Sequence, residues 1–208
     1  MLDVHAPHHT PNGARDFFIH LFTITIGLLI ALGLEAGAEA FHHRHQRMEA
    51  EALIRQEIKS NGEKIEQGEK QFKEELDGMN RVLQTLDSLS QGKKVDDLVE
   101  KDFAFHQAPM QDSAWRTAAS TGALSYMDYA EVERFSDAYK EQDQLDAMEK
   151  QTLDDYLMLI PILSQHGEDM NPERCKEALV YARQAVGHLN GMYFIAIGTL
   201  GSYHDALQ

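Results

Sequence analysis

Phe17-Phe18-Ile19-His20-Leu21-Phe22-Thr23-Ile24-Thr25-Ile26-Gly27-Leu28-Leu29-Ile30-Ala31-Leu32-Gly33-Leu34 runs for 18 residues without a formal charge. About 20 mostly apolar residues, at roughly 1.5 Å rise each, cross the hydrocarbon core of a bilayer as a helix. The stretch meets that length once Ala36, Gly37, Ala38 and Ala40 extend it. Its polar members are His20, Thr23 and Thr25, and a helix accommodates threonine by bonding the hydroxyl to its own carbonyls. Two other readings compete. A buried core helix usually has 10–14 apolar residues and keeps a polar face. A secretory signal would use the small-x-small sites Ala36-Gly37-Ala38 or Ala38-Glu39-Ala40. Only Arg15, beside Asp16, precedes the apolar run, and that run exceeds the usual 7–15 residues of a signal core. The expectation is a retained transmembrane helix over 14–41, after a loose tail over 1–13 that holds two prolines and a glycine.

Basic residues are sparse before this span and denser after it, where Arg44, Arg47, Arg55 and Lys59 follow. Positive flanks stay in the cytoplasm, so the C-terminal bulk is expected there. Gly33 and Gly37 stand four apart, with Ala36 and Ala40 repeating the spacing one face round. Small residues so spaced let two membrane helices approach closely. They are the candidate association seam, for a second copy or another membrane subunit.

Downstream, residues 41–91 contain no proline. Ile58, Ile65, Phe72, Met79 and Leu86 recur every seven residues, with Leu76 and Leu83 at the complementary position. This is a heptad pattern on a charged helix, interrupted by Gly62 and Gly68. It predicts a helical stalk over 42–91, continuous with the membrane helix and stopped at Gly92. Residues 92–208 read as a helical bundle domain. A short helix is expected within 95–111, and Asp112 or Ser113 caps the next helix. Gly122 turns the chain, Asp128 caps a long helix containing Pro161, and Asn171-Pro172-Glu173 opens the last. No strand-like alternation persists, so the fold class is all-α, a three- to four-helix antiparallel bundle.

Composition narrows function. Asp and Glu number 34 against 19 Lys and Arg, a net charge of −15. Such a surface repels phosphate backbones and argues against nucleic acid as a partner. The lone Cys175 excludes an intramolecular disulfide. Arg174 and Lys176 beside it near a helix start are neighbours of the kind that favour thiolate, but the sequence assigns it no histidine partner and a nucleophile role is set aside. His42 and His45 share a helical face and are the weak candidate metal ligands, with His5, His8 and His9 in the tail and His20 beside the span. The di-iron bundles need Glu-x-x-His on two helices, and the sequence offers that spacing once, at Glu39–His42. Trp115, the only tryptophan, reads as a core anchor locking a turn to the long helix. No catalytic constellation and no cofactor are implied.

Several segments resemble a widespread family of uncharacterised bacterial single-pass membrane proteins. They are Arg15-Asp16-Phe17, Ile19-His20-Leu21 and the run from Thr23 to Glu35, then Arg55-Gln56-Glu57-Ile58-Lys59-Ser60-Asn61 and the stretch from Trp115 to Leu124. The resemblance covers the first 60 residues and about ten in the middle. It implies a single membrane pass and supplies no activity. The expected function is a membrane-anchored interaction or scaffold protein, self-associating or accessory to a membrane complex. A sensory or ligand-binding bundle and a metal- or haem-associated redox subunit are the alternatives.

Overall fold

The computed structural model describes residues 13–93, 95, 103–106, 109–163 and 171–208. Among these residues all regular structure is helical, with no strand. Helix α1 spans Gly13–Ser90. It ends where the sequence runs into Gly92, whose φ of 74° suits a residue without Cβ. Its amide donates to the Leu89 carbonyl at 2.9 Å, and the Lys93 amide to the Ser88 carbonyl at 3.1 Å. The expected short helix within 95–111 falls mostly outside the described residues, as does the tail over 1–12.

The chain divides into two compact units, the first ending at Met48 and the second being Glu49–Gln208. The first is the N-terminal part of α1. Its Thr23 and Thr25 hydroxyls donate to the carbonyls of Ile19 and Leu21 at 2.9 and 2.8 Å, so the helix satisfies its own polar groups as the sequence suggested. His20 Nδ1 likewise bonds the Asp16 carbonyl at 2.8 Å.

The second unit is a bundle. Helix α2 is Ser113–Ser120, followed by a 3₁₀ turn over Ala123–Tyr126. Helix α3 is Tyr129–Leu163 and helix α4 is Pro172–Leu207. Asp128 accepts the Ala130 amide at 3.0 Å at the start of α3. Asn171 accepts the Glu173 amide at 3.0 Å, with Pro172 at the first helical position. Pro161 lies in the last turn of α3, which ends two residues later.

The heptad stripe of α1 faces inward within this unit. Ile54 and Ile58 pack with Phe135, Tyr139 and Tyr203, and Met79, Val82 and Leu86 pack with Tyr156, Leu159 and Leu189. Burying each such side chain stabilises by about 1.5–3 kcal/mol. The pattern is therefore spent on α3 and α4 of the same chain. The division expected at 91/92 runs through the interior of the bundle, because the second unit begins at Glu49. Gly62, an apparent flaw in the stripe, faces Tyr203: a Cβ there would meet the ring at 3.5 Å, an ordinary van der Waals contact.

These pairings also set direction. Glu57 bonds Tyr139, Asn61 bonds Gln142, and Leu86 clusters with Leu159. Thus α1 and α3 run parallel, and α4 runs antiparallel to both, with Tyr203 beside Ile58 and Ala182 beside Met79. A parallel pair needs the chain to return between them. The described residues of the connection are held to α1 at His106 by Glu75, at Pro109 by Lys64 and at Gln111 by Asn61, and Ser113 at the start of α2 is held by Glu57.

Candidate functional site

Two polar features stand out from the apolar interior: a buried network near Glu57, and an open cleft near Glu75.

The network grows from one face of α1. Ile54, Glu57, Ile58 and Asn61 follow the i, i+3, i+4, i+7 spacing that puts side chains on one helical face, and all four are buried. Glu57 accepts the Tyr139 hydroxyl at 2.6 Å through one oxygen, and the Ser113 hydroxyl and Ala114 amide at 2.8 and 2.9 Å through the other. It thereby caps α2. Asp112, expected in that role, makes no side-chain cap bond; its carboxylate pairs with Arg116 one turn on. Asn61 donates to the Gln111 carbonyl at 2.6 Å and accepts the Gln111 amide at 2.9 Å, mimicking a strand pairing for an irregular segment. Its amide also reaches Gln142, which in turn accepts the Tyr203 hydroxyl at 2.6 Å. Arg55 bonds Glu131 at the start of α3 at 2.7 Å and the Ala206 carbonyl at the end of α4 at 3.3 Å, with Phe135 under its guanidinium.

Burial, then the bond to Glu57, pushes the Tyr139 hydroxyl far above its ordinary pKa. Burial does the same to Tyr203. Both stay protonated donors at any physiological pH, which suits a structural role and disfavours acid–base work. Each polar atom of the network is matched to a backbone or side-chain partner, so the arrangement fixes α2, α3 and α4 on α1.

The residues singled out from sequence are dispersed. Trp115 is half-buried and stacks on Tyr139, with ring centroids 5.3 Å apart and planes inclined by 16°. His42 and His45 are exposed on α1. Among the described residues no group of three or more His, Cys, Asp or Glu side chains converges as metal ligands would. Gly33, Ala36, Gly37 and Ala40 are exposed, and a Cβ built on either glycine would meet nothing within 4 Å. Cys175 is fully buried, and burial raises its thiol pKa. Its basic neighbours Arg174 and Lys176 are exposed on the helix surface.

The cleft has a volume of about 210 Å³ and opens between the 64–75 stretch of α1, α3 and α4. Ile65, Phe72, Leu145, Met192, Ala196 and Leu200 form its apolar walls. The Phe72 and Tyr193 rings approach to 5.9 Å. Lys64, Glu66, Glu69, Glu149 and His106 supply polar groups around it. Glu75 lies at its inner side with 3% of its side chain exposed, and burial raises its carboxyl pKa. The His106 amide and ring Nδ1, each 2.7 Å from one Glu75 oxygen, oppose that rise. The apolar segment Met192–Leu200 thus divides its roles: Met192, Ile197 and Leu200 line the cleft, whereas Phe194 is exposed and outside it. Sequence reasoning missed the cleft, because its walls come from three segments far apart in the chain.

No protein-family model, curated protein or solved structure matches this chain. The family resemblance therefore stands on the quoted residues alone. Of these, Arg55, Glu57 and Asn61 bond α1 to other elements of the bundle, and Ile58, Ala118 and Ala123 lie in its core.

Proposed function

We propose that this chain is a single-pass protein of the bacterial inner membrane that holds a helical interaction or scaffold unit at the bilayer, self-associating or accessory to a membrane complex. One observation carries the reading. Between Phe17 and Leu34 every large apolar side chain is exposed, from 39% at Ile26 to 72% at Leu34. At about 1.5–3 kcal/mol for each side chain fully buried, leaving this surface in water forgoes on the order of 10–20 kcal/mol. That rivals the entire stability of a domain, about 5–15 kcal/mol. The segment is the one helical region among the described residues long and apolar enough to cross a membrane. Lipid is the solvent that suits it, and its own hydrogen bonds leave no polar group wanting there.

Support for association comes from the open faces of Gly33 and Gly37, which allow a second helix to pack closely. Support for a non-enzymatic role comes from the polar core, whose side chains are engaged with one another and with backbone. The basic flank after the span favours a cytoplasmic C-terminal unit.

The test is extraction followed by mass measurement. The full chain should remain in membranes washed with alkaline carbonate. In detergent it should run as an oligomer that Gly33→Leu with Gly37→Leu dissociates. Release by carbonate would end the anchor reading. An oligomer unchanged in the double variant would end the glycine seam and leave docking through the bundle.

A further inference from the structure

We propose that the cleft between α1, α3 and α4 receives the Phe194 ring of a second copy of this chain, each copy seating its ring in the other. This rests on the self-association part of the function proposed above and gives it a contact in the bundle. A projecting ring, a cleft of its size and the placing of charge each point to it.

The Phe194 side chain is 72% exposed. Among the described residues of the Glu49–Gln208 unit it is the one exposed phenylalanine. Gly198 and Gly201 follow it one and two turns on along the same face of α4 and are themselves exposed, so the ring stands clear of its neighbours. Ile197 is exposed nearby. Large apolar side chains left bare together mark a surface that meets something apolar.

A dry cavity of about 150 Å³ lined by aliphatic and aromatic side chains holds benzene. At about 210 Å³ the cleft takes a phenyl ring and the methylene that carries it. Its walls are aliphatic and aromatic, from Ile65 and Leu145 to the Phe72–Tyr193 pair. Polar groups around it are matched within the chain: Glu75 by His106, Glu69 by Lys73 and Lys64 by the Pro109 carbonyl. An uncharged ring enters such a site without breaking any of these pairs.

Position and charge select a second copy as the source of the ring. Phe194 lies next to Tyr193, a wall of the cleft, with ring centroids 6.2 Å apart. Ring and cleft therefore belong to one patch at one level of α4. A two-fold axis brings the same patch of both copies together and seats both rings at once. From Gln184 to His204 α4 carries no formal charge, the longest such length in the second unit. Chains of net charge −15 repel one another, and along this helix two copies can approach with no charge of its own between them. A basic partner would be drawn instead to the acidic faces of α1 and α3.

The experiment is sedimentation of the full chain in detergent, joined to photo-cross-linking in membranes. The native chain should be a dimer. Phe194→Ser should weaken that dimer by roughly ten-fold or more and keep the helical circular-dichroism spectrum. Ala196→Trp, which fills the cleft, should weaken it likewise. Phe194→p-benzoylphenylalanine should give a covalent dimer on irradiation, with the link mapped by mass spectrometry to the 64–75 stretch of the other copy. If Ala196→Trp fails to fold, the serine variant and the cross-link decide. A dimer that Phe194→Ser leaves unchanged would overturn this contact alone, whereas a monomeric native chain would end the self-association reading with it. Cross-links to lipid only would also overturn it and make the bilayer the occupant of this face.

Discussion

Glu57 shows how one side chain can fix a local fold. It supplies three acceptor contacts to α2 and α3, and no other group replaces them. Buried donors left without partners cost about 1–3 kcal/mol each. Glu57→Ala should therefore destabilise the bundle by roughly 3 kcal/mol, read as a lower urea midpoint. Trp115 is the only tryptophan and stacks on Tyr139, so its emission should shift to the red as α2 loosens. Unchanged emission together with an unchanged midpoint would contradict the clamp. Glu75 makes a different statement. Burial raises its folded pKa above the ordinary 4.5, so the folded state holds the proton more tightly than the unfolded chain. Its contribution to stability is full below pH 4.5 and is lost as pH rises through the folded value. Glu75→Gln should remove that component, so the stability of the variant relative to the native chain grows as pH rises from 4 towards neutrality. A gap independent of pH would refute it. Neither role was legible in the sequence, where Arg55, Glu57 and Asn61 formed a motif of resemblance on a charged helix. The available signal was spacing: Glu57 and Asn61 occupy the same i, i+3, i+4, i+7 face as Ile54 and Ile58. Polar residues on such a face call for partners, but those partners lie 50 to 82 residues away and no local pattern names them.

Individual helices were far more legible than their arrangement. The uncharged run, the glycine stop at Gly92, the Asp128 cap and the Asn171-Pro172 start all follow from local chemistry, and α1 has the expected bounds and α3 and α4 the expected starts within a residue or two. Trans capping of α2 by Glu57 could not be read, because caps are sought in the adjoining sequence. The two kinds of glycine in these elements make opposite predictions. Gly122 has φ 76° between α2 and the 3₁₀ turn, where any Cβ is strained by about 1–2 kcal/mol. Gly187 lies exposed inside α4, and a Cβ there would meet nothing within 4 Å. Gly122→Ala should lower stability by about 1 kcal/mol, and Gly187→Ala should raise it by about 0.5–1 kcal/mol. Thermal unfolding of the two variants checks both signs at once.

For the molecule as a whole, the heptad stripe was legible as a buried seam but its partner was not. The sequence permits that seam to face a second copy. The structure spends it on α3 and α4 and runs α1 parallel to α3, which requires the long return past His106 and Gln111. A period of seven states that a helix is packed, not against what. Since the core clusters lie entirely within Glu49–Gln208, a chain beginning at Glu49 should fold without the apolar segment. It should give a helical circular-dichroism spectrum and a cooperative melt in detergent-free buffer. Aggregation or a non-cooperative melt would show that the first unit is needed for the second to form.

The bond from Arg55 to the Ala206 carbonyl spans 151 residues, and this separation bears on the order of events during synthesis. Ribosomes add about 5–20 residues each second. On that schedule Arg55 waits roughly 8–30 s for its acceptor to be made, and the Ile54–Ile58 face of α1 stays uncovered until Phe135 and Tyr139 of α3 follow. A nascent chain at that stage offers a long amphipathic helix to whatever is near. Chaperones, or neighbouring nascent chains on one polysome, would meet a surface that the finished bundle conceals.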